Sequence, residues 1–489
     1  MRVVFLSVAV LVLVGCSSAE RASGKERTPR VTAVEAPLPS SATGRYKLAL
    51  TDVACAAPRN CAAAGYLNSN IVSRGLLFVE KGGAWSVSEP PLPETLRRGN
   101  KSESVSSVAC PAVGHCVAVG VAASGPQLEP LVFTQRTHGW QETVSPLPAR
   151  AKGGDLDFVS CPSVGDCTAA GTYIDSSGHD QGLLLDESNG DWAPSTSGLP
   201  PNGSVTTSGQ TPAIQGLTCW AAGSCAAVGI YGDTHGSPQA WLLTETHGVW
   251  AQGVEAELPP NASTREGSYL YPVIDVGAVS CAPNGNCTAV GGYGDRRSHQ
   301  FGMILSEHAG RWGPAKKTPL PANAGPNPQQ GNAPRSPMSS IACPSAGRCS
   351  AVGWYLDNHA NYHGLLLRER DGAWSPSELV FPSGAHAAPG VSFPGVSLDS
   401  LACASPGNCF GVGAYNPSPN RLRPLLVSEQ NGRWIQGSEA PPPKSVGKNY
   451  KGGLSSVSCP SAETCVAVGY TETAGFLNER GLIVTIGRG

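Results

Sequence analysis

Sixteen of the seventeen cysteines fall into eight copies of Cys-x5-Cys-x3-Gly, a spacing that restricts the chain to a tandem array of small, similar units. The pairs are Cys55/Cys61, Cys110/Cys116, Cys161/Cys167, Cys219/Cys225, Cys281/Cys287, Cys343/Cys349, Cys403/Cys409 and Cys459/Cys465. A zinc ion needs four ligands converging on one point, whereas these pairs recur roughly every 50 to 62 residues, so each unit presents only two thiolates. No metal site is expected from them.

Cys16 stands apart, and its neighbours explain it. Arg2 precedes an apolar run over residues 3–14 that ends in Leu13-Val14-Gly15-Cys16. The charged start, short apolar core and small residue before the cut are those of an export signal, and the run is too short to span a bilayer stably. The segment resembles a bacterial lipoprotein signal, which implies cleavage before Cys16 and lipidation of its thiol. Residues 1–15 are then the signal peptide. Residues 16–30 form the lipidated cysteine and a polar, flexible tether, and residues 31–489 the folded domain. The expected location is the outer face of the cell membrane. In that oxidising setting the sixteen repeat cysteines are expected to form eight local disulfides.

Composition agrees with a turn-rich β fold. Aromatic residues make up 6% of the chain and charged residues 14%, against 60 Gly and 42 Pro, and no helical stripe of useful length appears. The formal net charge of -2, with Lys and Arg scattered evenly, lacks the basic face of a nucleic-acid binder.

The repeat extends beyond the cysteines. The first unit runs through Asp52-Val53-Ala54-Cys55, Cys61-Ala62-Ala63-Ala64-Gly65-Tyr66, Gly75-Leu76-Leu77-Phe78-Val79-Glu80 and Gly83-Ala84-Trp85 to Pro91-Leu92-Pro93. The sixth repeats it from Ile341-Ala342-Cys343 to Phe381-Pro382. Four short apolar runs punctuated by turn residues predict a four-stranded antiparallel meander, with the cysteines bridging the turn between first and second strands. The residue two before each leading cysteine is always apolar, from Val53 to Val457, and is assigned to the core. The glycine four residues after each trailing cysteine marks close backbone approach.

Tandem units of this kind stack radially into a propeller. The last unit stops at Leu482-Ile483-Val484-Thr485 without a Trp or a closing Leu-Pro, and the missing piece lies at the other end of the chain as residues 31–39. The expected fold is therefore all-β, an eight-bladed β-propeller of four-stranded antiparallel blades, with the ring closed by the N-terminal strand. A monomer is expected.

The chain resembles the cysteine-repeat propellers of exported actinobacterial proteins. More distantly, it is similar to the sialidase-type Asp-box and photosystem-assembly propellers, whose blades also read as an Ala-Val-Gly strand followed by a Gly-x-Trp turn. The resemblance covers residues 31–486. Where the Asp-box family has Ser-x-Asp-x-Gly-x-x-Trp, this chain has Ser306-Glu307-His308-Ala309-Gly310-Arg311-Trp312, without the aspartate. The box is a structural turn in that family, which implies that Glu80, Glu187, Glu245, Glu307, Glu369 and Glu429 bind turns.

Sialidase chemistry, as the resemblance implies it, needs three convergent arginines, a Tyr/Glu pair and an acid. The segments just before the leading cysteines carry no arginine, and their carboxylates, Asp52, Asp157 and Asp399, are expected to cap backbone groups at turn edges. Neither the Trp-docking motif nor the adjacent cysteine pair of quinone-dependent propeller dehydrogenases is present, and no cofactor is expected. A subtler candidate lies in the loops after the second strands. Asp175, Asp233, Asp295 and Asp357 follow Tyr173, Tyr231, Tyr293 and Tyr355 by two residues, with His179, His235, His299, His359 and His363 nearby. The stronger reading makes these aspartates turn formers on a possible binding face, not metal ligands. Joins from second to third strand and from unit to unit are long, including residues 259–272, 321–337 and 381–396, and emerge on one face. Long loops on a rigid frame are where binding surfaces are normally built. The reading is a non-catalytic, membrane-tethered platform for a protein or cell-envelope glycan, with a sialidase-like, glycan-active hydrolase as the alternative.

Overall fold

The computed structural model describes residues 29–487 except 70–72, 91–101, 125–126, 138, 196–197, 206–210, 264–273, 297–298, 326–337, 359–360, 384, 386–394, 419–420, 448 and 474–478. Cys16 and His359 lie outside the described residues, as do most of the three long loops singled out above. The described chain is all-β, built from repeated four-stranded antiparallel sheets.

The second unit shows the plan. Strands Ser102–Ala112, His115–Ser124, Gln127–Arg136 and Gly139–Val144 pair in chain order. A disulfide spans the first turn of every repeat. The bridges are Cys55–Cys61, Cys110–Cys116, Cys161–Cys167 and Cys219–Cys225 in the first four repeats. Cys281–Cys287, Cys343–Cys349, Cys403–Cys409 and Cys459–Cys465 follow in the last four. The residue two before each pair is buried as expected at Val53, Val108, Val159, Ile341, Leu401 and Val457, half-buried at Leu217 and Val279, and the structure adds half of each cysteine pair to that core. The trailing cysteines Cys61, Cys116, Cys167, Cys225, Cys287, Cys349, Cys409 and Cys465 are all buried, whereas the leading ones, Cys343 apart, are only half-buried. Each trailing cysteine lies at the start of the second strand, Cys349 just before it, and that inner strand of the sheet is covered by neighbouring repeats. Cys167 packs with Val117 and Val119 of the repeat before, Cys225 with Ala170 and Leu184, and Cys409 with Val352 and Leu366. Cys287 is sealed completely, beside the buried Ala289 and Val290.

Each first strand also carries a bulge four residues before its leading cysteine, opposite the repeat glycine. In the second unit Val105 pairs with Gly120 and Ser107 with Val119, leaving Ser106 as the extra residue. A Cβ on Gly120 would lie 2.0 Å from the Ser104 carbonyl oxygen, so the bulge closes on a position that only glycine fits.

The fourth strand departs from the expected uniform meander. In the fourth repeat it breaks into Val249–Trp250 and Val254–Glu255. There Glu245 pairs with Trp250 and Trp241 with Glu255, so five steps on the outer strand face four on its neighbour. The sixth repeat pairs Glu369 with Trp374 and Leu365 with Glu378, four against four, and its strand Ala373–Glu378 is continuous. One inserted residue therefore interrupts the ladder, as it does in the fifth and seventh repeats.

Apolar cores lie between consecutive repeats. Ala62, Ala64 and Leu77 pack with Val105, Val108 and Phe133, and Val290 and Ile304 with Ile341, Leu365 and Leu367. The series includes Val466, Val468 and Ile483 of the last repeat against Leu48, Leu50 and Phe78 of the first. Side chains beside the leading cysteines stitch the first strands together. Asp52 accepts from Val108 N at 2.9 Å, Ser160 from Cys219 N at 2.9 Å, and Ser280 from Cys343 N at 3.0 Å. Ser340 accepts from Leu401 N at 3.1 Å, Ser400 from Val457 N at 3.3 Å, and Ser458 from Cys55 N at 3.0 Å. The N-terminal strand Arg30–Glu35 pairs antiparallel with Glu479–Gly487 in the expected register, Val31 opposite Ile486 and Glu35 opposite Leu482.

Candidate functional site

The aspartates after the second strands bind their own loops. Asp175 accepts from Ser177 N (2.8 Å), His179 N (3.0 Å) and Gln181 Nε2 (3.0 Å). These bonds to the charged form, His179 N first and Gln181 next, pull its pKa down to about 2. Asp233 repeats the arrangement with His235 N, Ser237 N and Gln239 Nε2. In the next two repeats a histidine ring comes closer than the 3.7 Å of His179 to Asp175: His299 Nδ1 lies 3.1 Å from Asp295, and His363 Nε2 lies 3.1 Å from Asp357. The loops do not pool their side chains, and among the described residues no group of three or more His, Cys, Asp or Glu is placed to hold a metal ion.

A second set of contacts, missed in the sequence, surrounds the tyrosines at the same strand ends. Tyr231 Oη lies 2.9 Å from Asn202 Oδ1 and 2.8 Å from Glu255 Oε2. Tyr293 donates to Asn261 at 3.0 Å. Tyr355 donates to Asn323 at 3.1 Å, and Asn323 donates on to Glu378 at 3.0 Å. In the seventh repeat Glu439 accepts from Tyr415 at 2.8 Å and Tyr450 at 3.0 Å. The asparagines come from the connection entering each repeat, inside turns in which Gly203, Ala262 and Ala324 donate to the carbonyls of Pro200, Pro259 and Pro321. The signal was present as Pro-Pro-Asn or Pro-Ala-Asn after the closing Leu-Pro.

One register position varies in charge within this frame. Glu255, Lys317, Glu378 and Glu439 stand opposite Trp241, Met303, Leu365 and Leu425 in successive repeats. Lys317 Nζ sits 3.6 Å from the Phe301 ring centroid, and burial lowers its pKa. His363 lies between two carboxylates, with Nδ1 2.8 Å from Glu378, and stacks on Tyr355 at 5.3 Å.

The three carboxylates near the leading cysteines are of two kinds. Asp52 caps backbone, but from within a strand and across to the next repeat. Asp157 and Asp399 are not turn-edge caps. They are the extra residues of their bulges, open to solvent but crowded by protein, and desolvation pushes each up to about 6. The other bulge positions carry Thr51, Ser106, Gln215, Gly277, Ser339 and Ser455, with no arginine.

Of the glutamates at the Gly-x-Trp turns, two accept from turn backbone, while Glu429 accepts from the Ser350 hydroxyl at 2.7 Å. Glu307 accepts from Gly310 N, and Glu369 accepts from Cys349 N at 3.3 Å. Glu80, Glu187, Glu245, Glu307, Glu369 and Glu429 are buried, and burial raises all six, Glu245 to about 7. Gln135 takes the same buried place in the second repeat, where an uncharged side chain suffices. A carboxyl raised on folding stabilises below its unfolded pKa, and that contribution is lost as pH climbs through the folded value. Melting temperature is therefore expected to be higher at pH 5 than at pH 8, and Glu245→Gln to raise it at pH 8 while flattening the profile. Asp175 and Asp233, both lowered, act in the opposite direction only as pH falls through the unfolded aspartate range. A calorimetric profile that is flat or rises from pH 5 to 8 would contradict this.

No family model matches the chain, and no curated protein matches it in sequence. Among solved structures it is similar to a protein of unknown function from Dyadobacter fermentans, with 10% identity and a TM-score of 0.40, over 94% of this chain and 99% of that one. It is also similar to the BP39L lectin of Burkholderia pseudomallei, with 13% identity and a TM-score of 0.41, over 81% and 99%. A third is the Trypanosoma rangeli sialidase, with 11% identity and a TM-score of 0.35, over 94% of this chain and 60% of that one. At these identities no site residue transfers to this chain.

Proposed function

We propose that the protein is a closed eight-bladed propeller, held at the outer face of a cell membrane by a lipid on Cys16, that acts as a non-catalytic platform for a protein or cell-envelope glycan. Closure is supported by the first strands being stitched in series, by the core shared between the eighth and first repeats, and by the pairing of the two terminal strands. The binding reading rests on the tyrosine frame at the long-loop ends. In the fourth to sixth repeats a tyrosine meets an asparagine of the entering turn, in the seventh Tyr415 meets Glu439 instead, and the register position beside them carries Glu255, Lys317, Glu378 and Glu439. A recurring tyrosine frame in which one repeat places a cation among carboxylates suits recognition of an extended partner better than one localised reaction.

The test is capture by the purified mature chain of detergent-solubilised envelope protein and, separately, of isolated cell-wall glycan. Lys317→Glu and Glu378→Lys should each weaken capture at least ~5-fold with little change in melting. Capture unaffected by both would refute the rim as the binding face. Cys16→Ala should release the protein from membranes, and a variant that stays in the salt-washed membrane fraction would refute the tether. The hydrolase alternative would draw on Asp157 and Asp399, whose raised pKa suits a general acid. Glycan turnover lost in Asp157→Asn and Asp399→Asn would favour it over the platform.

A further inference from the structure

A cavity of about 430 Å³ opens between the fifth and sixth repeats, at the disulfide ends of the strands. Its existence traces to two small residues. In the fourth repeat Trp220 follows the leading cysteine and its indole covers the next repeat's turn, so that a Cβ on Gly285 would lie 3.0 Å from Nε1. The fifth repeat has Ala282 at that position, lining the cavity with Gly347, the counterpart of Gly285. The second small residue is Ser306. Its counterpart in the sixth repeat, Arg368, fills the next interface, where its guanidinium donates to the Gly432 carbonyl and lies 3.6 Å from Glu429. The neighbouring interfaces are thus plugged by the protein's own side chains, and this one is not.

The walls combine one aromatic surface with a mixed set of polar groups. Trp374 supplies the indole, and Glu369, itself only 8% exposed, supplies a carboxylate. At the sixth-seventh interface the equivalent glutamate, Glu429, is held by Ser350 at 2.7 Å. Here Thr288 takes the place of Ser350 and lines the open space with Ser306, while His308 and Lys316 complete the fifth-repeat side. Hydroxyls both donate and accept, a carboxylate accepts, and an ammonium donates, so the set can satisfy a ligand whose own groups are hydroxyls. An indole face suits a ligand with an apolar side. The volume lies within the range of small-molecule sites. Glu369 balances Lys316 and Asp371 balances Arg348, which it meets at 3.3 Å, so no surplus positive charge is left to favour an anion.

We propose that this cavity binds a neutral pyranose, with Trp374 as the stacking platform and Glu369, Ser306 and Thr288 as hydrogen-bonding partners. The site lies at the opposite strand ends from the tyrosine frame and does not rest on the rim reading. The full mature chain is titrated with the methyl glycosides of glucose, galactose, mannose and N-acetylglucosamine, followed by indole fluorescence and ligand-observed NMR. At least one should saturate, with Kd on the order of 1 mM. Ala282→Trp, which restores the plug of the fourth repeat, should weaken that binding at least ~10-fold, and Lys317→Glu on the rim should leave it unchanged. Should Ala282→Trp fail to fold, Ser306→Arg supplies the plug of the sixth repeat. Crystals soaked with the bound glycoside provide a readout that needs no variant, with density expected against Trp374. The proposal is overturned if none of the four glycosides saturates, if a folded plugged variant binds like wild type, or if the density appears elsewhere.

Discussion

Deleting residues 30–36 is expected to lower the melting temperature by roughly 5 °C, although all eight disulfides still form. The strand Arg30–Glu35 lies along Glu479–Gly487 and covers Leu482, Val484 and Ile486, each no more than 1% exposed. Past the strand, Ala36 N donates to the Gly481 carbonyl at 2.9 Å, and Arg480 pairs with Glu35 at 2.8 Å. Baring three aliphatic side chains and a ladder edge is worth roughly 5 kcal/mol, and a chain of this size loses about 1 °C per kcal/mol. The exposed edge also invites association, so the deleted chain should aggregate at lower temperature. Shortening the connection over residues 321–337 by a few residues is the control, because loop closure depends weakly on length and melting should barely move. Scanning calorimetry decides, and a deletion that melts like wild type would refute the role given to the terminal strand.

Much of this architecture was legible because it rests on features that recur at fixed register. The cysteine turn, the glycine after it and the unmatched terminal strand each have one sterically sensible place in a meander. The bulges were hidden because an extra residue leaves no compositional mark: Thr51, Ser106 and Asp157 look like any strand residues. The stitching serines looked like inert small residues because their partners are backbone groups of the following repeat. Tyr293 and Asn261 are 32 residues apart, and only the path of the entering turn brings them within 3.0 Å. The cavity was harder still to foresee. Ala282 is unexceptional within its own repeat and acquires meaning only from Gly347 in the next one and Trp220 in the one before.

Complete reduction of the disulfides is expected to abolish the cooperative fold near body temperature, whereas losing any single bridge should be tolerated. Each bridge closes a loop of five residues, which in the chain-entropy account is worth roughly 2 kcal/mol. Eight in separate hairpins sum to on the order of 15 kcal/mol, comparable with the whole stability of an ordinary domain. Within the folded state, reduction changes the packing itself little. The trailing cysteines are at most 4% exposed and belong to the cores between repeats, as Cys61, Cys116, Cys167, Cys225, Cys409 and Cys465 do, and a thiol fills the same space as a half-cystine. The loss therefore falls on the unfolded chain, which regains freedom in every repeat at once. Non-reducing peptide mapping should first find only the eight local bridges. Melting followed against the number of free thiols should then fall by about 2 °C per opened bridge and collapse once most are open. A fully reduced chain melting within a few degrees of the oxidised one would show that the inter-repeat cores suffice without the staples.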